Sequence, residues 1–188
     1  GGFSALGSPL SAGAFPTAVV VGRFDGDSHT DMAVASGQAG ITVFPGTGNG
    51  NFGSPTSVPN ANLALQDLAI AFLDGNTVPD LLTPQAAFLG DGQGGFVRGA
   101  SFGGTMAVAS GRVDSDGVTD VVAITDSQIQ LWLGNGDGSF RFGSLHTPGG
   151  TLSAVAVADL DNDQHADVVV SDSANDRVAV LLGGNGGL

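Results

Sequence analysis

The chain has 188 residues, enough to bury the core of one domain, and a formal net charge of −13. All 18 acidic residues are Asp and all five fixed cations are Arg, because the sequence contains neither Glu nor Lys. Such an acidic chain lacks the basic surface that nucleic acid requires, and the absence of Cys excludes disulfides and thiolate metal sites. No apolar run is long enough to cross a bilayer, so we expect no membrane insertion.

Four copies of one unit follow each other along the chain, each built around a nine-residue acidic loop. Each copy is predicted to contain a strand, the acidic loop, a second strand, a short turn, a third strand, a glycine-rich turn and a fourth strand. The loops end at Asp31, Asp80, Asp120 and Asp167, which are 49, 40 and 47 residues apart. Apolar runs such as "AVVVG" and "DVVVS" are typical of strands covered on both faces. Such units predict the blades of a β-propeller.

The predicted fold is therefore all-β, one β-propeller domain over residues 1–188 with four-stranded antiparallel blades. The 32 glycines are interpreted as turn residues, because an apolar content of 41% argues against disorder. The four predicted blades are residues 14–59, 60–103, 104–150 and 151–188.

The last blade has no fourth strand of its own in the sequence, since copy four ends in its glycine turn. The opening "GGFSALGSP" is similar to "GSFRFGSLHTP", which supplies the fourth strand of copy three. Residues 1–13 are thus predicted to be the outer strand of the last blade, closing the ring and removing exposed edges. Two alternatives stay open: a segment of a longer array, or two copies joined head to tail into an eight-bladed ring.

The fourth acidic loop, "DLDNDQHAD", carries carboxylates at positions 1, 3, 5 and 9 and a histidine at position 7. These residues are Asp159, Asp161, Asp163, Asp167 and His165. Alternate spacing lets a tightly curled loop turn every second side chain inward, as in other calcium loops. Carboxylates this close repel one another unless a cation lies among them. Ca²⁺ is favoured over Mg²⁺, which demands stricter octahedral geometry.

The other three loops keep only part of this set. Position 1 is Arg23 in loop one, Phe72 in loop two and Arg112 in loop three. The remaining candidate ligands are Asp25, Asp27, His29 and Asp31 in loop one, Asp74, Asn76 and Asp80 in loop two, and Asp114, Asp116 and Asp120 in loop three. We expect loop four to be the best calcium site, loops one and three to follow, and loop two to be the poorest.

Two other interpretations of the loops remain open. In loops one and three the arginine either swings out, leaving three carboxylates for the ion, or replaces the ion with its own guanidinium. In any loop, Asp, Asn and Gly can also be ordinary turn residues whose side chains accept hydrogen bonds from their own backbone.

The unit "VAVADLDNDQHADVVVSDSANDRVAVLLGGNGG" resembles the FG-GAP and VCBS repeats, which are related to the blades of the integrin α-subunit propeller. The resemblance extends over essentially the whole chain and is most specific in the acidic loop and the strand after it. It implies a calcium-bearing β-propeller outside the cell or on its surface, serving adhesion or the recognition of a protein or carbohydrate.

A non-catalytic module is the expected function class. The lack of Glu, Lys, Tyr and Cys removes most acids, bases and nucleophiles, and most Asp residues lie in the loops assigned to metal or turns. The expected cofactor is Ca²⁺, and the expected partner is a protein or glycan, with the chain either a monomer or a head-to-tail homodimer. The alternative function is an architectural spacer or assembly unit of a surface protein or filament.

Overall fold

The computed structural model describes residue 2 and residues 9–37, 39–61 and 65–184. Over these ranges the secondary structure consists of β-strands and turns without a helix, and hence without a helix long and apolar enough to span a membrane. The strands form four small antiparallel sheets arranged as a four-bladed β-propeller. The predicted fold class, an all-β propeller with four blades, is confirmed.

Blades 1 and 2 come from the first half of the chain. The strands of blade 1 are β1 (Pro16–Gly22), β2 (Asp31–Ser36), β3 (Gly40–Phe44), β4 (Gly46–Gly48), β5 (Asn51–Phe52) and β6 (Thr56–Ser57). Its sheet has the order β1-β2-β3-β6, and β4 and β5 form a separate small hairpin. The strands of blade 2 are β7 (Ala69–Ala71), β8 (Asp80–Leu82), β9 (Ala86–Gly90) and β10 (Phe96–Ser101), paired in chain order.

Blades 3 and 4 come from the second half. The strands of blade 3 are β11 (Ala107–Gly111), β12 (Asp120–Ile124), β13 (Ile129–Gly134) and β14 (Phe140–His146), again paired in chain order. The strands of blade 4 are β15 (Leu152–Ala158), β16 (Asp167–Asp172) and β17 (Arg177–Leu181). All pairings are antiparallel, so each blade is a meander.

The predicted outer strand over residues 1–13 falls mostly outside the described residues. Residues 9–13 are described and are not in a strand. The carbonyl of Ala12 instead accepts a 2.5 Å hydrogen bond from the Ser36 hydroxyl at the end of β2. This contact places the described part of the segment against blade 1.

Three apolar cores hold neighbouring blades together, and we call them interblade cores. The first lies between blades 1 and 2, the second between blades 2 and 3, and the third between blades 3 and 4. Large side chains at their centres include Phe88 in the first, Leu82 in the second and Leu131 in the third. Removal of this apolar surface from water is the main force that stacks the sheets.

The first strands of successive blades, β1, β7, β11 and β15, are neighbours. Each is followed directly by its acidic loop, so the loops emerge at one end of the propeller. Loops three and four are also joined by a 2.7 Å hydrogen bond from the Ala166 amide to the Arg112 carbonyl. This shared end of the molecule carries the candidate site.

Candidate metal centre

Each acidic loop ends on a buried aspartate whose carboxylate binds the backbone at two distant points. In loop three, Asp120 accepts hydrogen bonds from the amide of Val113 at 2.8 Å and from the amide of Gly134 at 3.0 Å. Val113 lies at the start of the loop and Gly134 at the end of the third strand. The carboxylate therefore ties the loop and the third strand to the start of the second strand.

The same arrangement recurs in the other three blades. Asp31 accepts from Phe24 and Gly46, both at 2.7 Å; Asp80 accepts from Leu73 at 2.7 Å and Gly90 at 2.9 Å; and Asp167 accepts from Leu160 at 2.7 Å and Gly183 at 2.8 Å. Because one geometry appears four times, the closing aspartates have a structural role, the tie to the third strand, that neither the metal-ligand nor the turn interpretation of the loops included.

The glycine that donates to the closing aspartate lies where a side chain would not fit. At Gly134 a Cβ atom would overlap the carbonyl oxygen of Thr119, the residue just before Asp120. The equivalent glycines of the other blades face the equivalent carbonyl oxygen in the same way. The signal was present in the sequence, because a glycine follows the third apolar run in all four copies, as in "FPG" and "WLG".

Burial changes the ionisation of two of these aspartates. Desolvation raises the pKa of Asp80 and of Asp120 above the ordinary value, although the hydrogen bonds from the backbone amides oppose the rise. Ionisation of these carboxylates inside the protein therefore depends on the amide donors that surround them.

In loop one, the other two aspartates accept hydrogen bonds from the backbone of the loop itself. Asp25 accepts from the amide of Asp27 at 3.1 Å, and Asp27 accepts from the amide of His29 at 2.6 Å. The ring nitrogen Nδ1 of His29 lies 3.0 Å from the second oxygen of Asp27. These hydrogen bonds, the side-chain one first, lower the pKa of Asp27. They are the turn interactions expected of Asp, and they curl the loop.

Loop four is curled by the same kind of bonds with one addition. The carboxylate of Asp159 accepts from the amides of Asn162 at 2.7 Å and Gln164 at 3.0 Å, and these two donors have positive φ angles of 64° and 76°. Asp161 accepts from the amide of Asp163 at 3.2 Å. The left-handed backbone at these two residues tightens the loop, so that the carboxylate at its first position contacts amides near its end.

Two loops bring three carboxylates together. In loop one, oxygens of Asp25, Asp27 and Asp31 all lie within 4.8 Å of one another. In loop four, oxygens of Asp159, Asp161 and Asp167 do the same. Within the described residues these are the two groups of acidic or histidine side chains that could hold an ion. In each group the closing aspartate is buried and the other members are partly or fully exposed.

Loops two and three do not form such a group. Loop two has two carboxylates, Asp74 and Asp80, and the side-chain amide of Asn76 donates to Asp74 at 2.7 Å. Loop three has Asp114, Asp116 and Asp120, but oxygens of these three residues do not all lie within 4.8 Å of one another.

The arginine that approaches loop three is Arg141 and not Arg112, the arginine predicted from the sequence. Asp114 lies 3.7 Å from the guanidinium of Arg141, which is in β14. In the described portion of the chain, neither Arg23 nor Arg112 forms an ion pair with its loop. Loop three therefore has its nearest positive charge from the fourth strand of its own blade.

The remaining candidates of loop four, Asp163 and His165, lie outside its carboxylate group. Both line a cleft between loops three and four, together with Arg112 and Asp114. The amide of His165 donates to Asp163 at 2.8 Å. The structure therefore places these two residues in the cleft beside loop three and outside the carboxylate group of loop four.

The donor sets of loops one and four fit a calcium ion. All members are carboxylate oxygens, which are the ligands of hard cations, and a curled loop tolerates the irregular geometry that Ca²⁺ accepts. In these two loops each oxygen of the closing aspartate accepts one backbone hydrogen bond, so lone pairs remain for a cation.

Comparisons with known proteins agree with this architecture. Residues 112–170 match the family model described as an FG-GAP-like repeat. A search of curated protein sequences gave no match. Among solved structures, the chain is similar to BBS1N in complex with ARL6DN, soaked with lead, with a TM-score of 0.58 and 12% identity over 92% of this chain and 58% of that one.

A second crystal of that complex, soaked with mercury, gives a TM-score of 0.56 and 13% identity over 91% of this chain and 54% of the other. The chain thus spans less than two thirds of the length of either matched structure, and at such low identity the likeness concerns the fold. The predicted resemblance is confirmed: residues 112–170, which run from the third acidic loop into the strand after the fourth, match the model of an FG-GAP-like repeat, and the described strands form a four-bladed β-propeller.

Proposed function

We propose that this protein is a non-catalytic propeller module that binds Ca²⁺ in loops one and four and acts outside the cell. The observation that carries the proposal is the gathering of three carboxylates within 4.8 Å in each of these two loops. The extracellular assignment is supported by the resemblance to FG-GAP repeats, and the non-catalytic one by the missing Glu, Lys, Tyr and Cys.

In this function the closing aspartates connect the ion site to the fold. Asp31 and Asp167 are buried and hold the second and third strands of their blades, while their partners in each group lie on the curled loop. A bound Ca²⁺ would supply positive charge that neutralises the clustered carboxylates. The loop would then be fixed to the blade through the closing aspartate, and binding free energy would add to stability.

Calorimetric titration of the chelator-treated protein with CaCl₂ tests this assignment. We expect saturation at two ions per chain. Asp27→Asn removes one charge from the loop-one group, and Asp161→Asn removes one from the loop-four group. Because calcium affinity follows the ligand charge, each variant is expected to weaken one of the two sites by about tenfold or more.

A matched control exists for Asp27→Asn. Asp116 has the same position in loop three and accepts the same kind of backbone hydrogen bond, from Val118 at 2.8 Å, but belongs to neither carboxylate group. The variant Asp116→Asn is therefore expected to bind two ions with unchanged affinity. A titration without heat of binding, or an effect of Asp116→Asn equal to that of Asp27→Asn, would refute the proposal.

We further propose that the partner of the module is a protein and not a glycan. The support is that the similar BBS1N propeller structures are complexes with another protein. Trp132, the single tryptophan and a candidate stacking platform for a sugar, is instead packed against Phe102 and Phe142 with ring centroids 5.6 and 5.3 Å away. Screening the calcium-loaded protein on a glycan array should give no saturable binding, and a specific glycan bound in a calcium-dependent way would overturn this choice.

A further inference from the structure

The first and last blades each carry an exposed apolar face. Four blades in a closed ring would share four apolar cores, whereas the described residues form three, and none of these joins blade 4 to blade 1. The first strands can be aligned on the closing aspartates and the third strands on the glycines that donate to those aspartates, which shows what each face corresponds to in the other blades.

On blade 1 the exposed face is that of the first strand. Val19 is 60% exposed, yet its equivalents Leu68 in blade 2 and Val108 in blade 3 are only 5% and 4% exposed. Leu68 belongs to the core with blade 1 and Val108 to the core with blade 2. The face of Val19 and its neighbour Val21, which we call the leading face, is therefore the one that packs on a preceding blade.

On blade 4 the exposed face is that of the third strand. Val180 is 51% exposed, whereas its equivalents Val43 in blade 1 and Leu131 in blade 3 are 3% and 1% exposed. Val43 lies in the core with blade 2 and Leu131 in the core with blade 4. The face of Val178, Val180 and Leu182, all exposed, is thus the one that packs on a following blade, and we call it the trailing face.

The leading and trailing faces are the two halves of one interblade contact that the chain already makes three times. We propose that the trailing face of one copy binds the leading face of a second copy, and that two copies join head to tail in a closed ring. Each copy supplies both halves, so one dimer would contain two such contacts. Closure buries both the leading and the trailing face of each copy, as expected for symmetric assembly.

Within the described residues, no segment of the chain covers the trailing face. An outer strand built from the start of the chain would pair with the edge of β17 and would leave the trailing face uncovered, since side chains of a strand project from its faces.

Sedimentation equilibrium of the full chain between about 1 and 100 μM, with calcium held constant, tests the proposal. The expected mass is twice the 18.5 kDa of one chain and does not grow further. Val19→Asp and Val180→Asp each place a charge in every contact of the ring, so each variant alone is expected to be monomeric. Val97→Asp is the matched control, because Val97 is exposed in β10, away from both end faces, and this variant should remain dimeric.

Mixing the two monomeric variants gives a sharper result. Val19→Asp retains an intact trailing face and Val180→Asp an intact leading face, so the mixture can form one unaltered contact. We expect a weak heterodimer in the mixture that neither variant forms alone, with unchanged circular dichroism in both. A wild-type chain that stays monomeric, whether because residues 1–8 cover a face or for any other reason, overturns the proposal, as does growth into open assemblies larger than two copies.

Discussion

Chelation of calcium is expected to lower the free energy of unfolding by about 5 kcal/mol. The comparison is with protein in free Ca²⁺ at about 100 times the dissociation constant. Ligand binding to the folded state alone contributes about 2.7 kcal/mol for each site under that condition, and loops one and four provide two sites. For a chain of this size the expected fall in Tm is roughly 10–20 °C. Thermal melts with and without EGTA, at one fixed protein concentration, measure the effect.

The double variant Asp27→Asn/Asp161→Asn provides the control for this experiment. Its Tm is expected to respond much less to EGTA, since one carboxylate of each group has been neutralised. Asp116→Asn in loop three should keep the full response, because Asp116 lies outside both groups. A wild-type protein whose melt is the same with and without EGTA would show that these loops are stable without an ion.

Replacement of the closing aspartate of loop three, Asp120→Ala, is expected to destabilise the protein by about 3–5 kcal/mol. The substitution leaves the buried amides of Val113 and Gly134 without their acceptor, and an unsatisfied buried donor costs about 1–3 kcal/mol each. Urea unfolding followed by circular dichroism gives the change in free energy.

Two comparisons separate this structural role from metal binding. Asp120→Asn keeps one acceptor oxygen and should lose about half as much stability as Asp120→Ala, while the exposed Asp116→Ala should lose under about 1 kcal/mol. Because loop three does not gather its carboxylates, the loss in Asp120→Ala is expected to be the same with calcium or with EGTA. A loss that disappears in EGTA would mean that Asp120 acts mainly as a metal ligand.

The fold was predictable because the same structural unit is repeated four times in the sequence. The apolar strands on both sides of Asp120 and Asp167 have the composition of doubly covered strands, and the structure buries β12 throughout. Repetition at regular intervals then leaves few architectures other than stacked blades. What a repeat cannot specify is how its ends are covered, because Val19 and Val180 look the same in sequence as their buried equivalents in other blades.

The candidate site was predictable only in part. Alternate aspartates correctly identify the loops, but loops one and three have the same pattern of three Asp and one Arg, and the structure gathers the carboxylates only in loop one. The difference includes Arg141, which approaches Asp114 from a distant strand. The sequence also did not indicate that the closing aspartates tie strands together besides being candidate metal ligands. Their amide donors lie up to 16 residues away, as with Gly183 and Asp167.

The most direct test is a crystal structure of the protein grown in CaCl₂, with anomalous data collected at long wavelength to locate calcium. We expect one anomalous peak among Asp25, Asp27 and Asp31 and one among Asp159, Asp161 and Asp167, without a peak in loops two and three. Absence of a peak from both carboxylate groups at saturating calcium would contradict the account, as would occupancy of loop three instead of loop one.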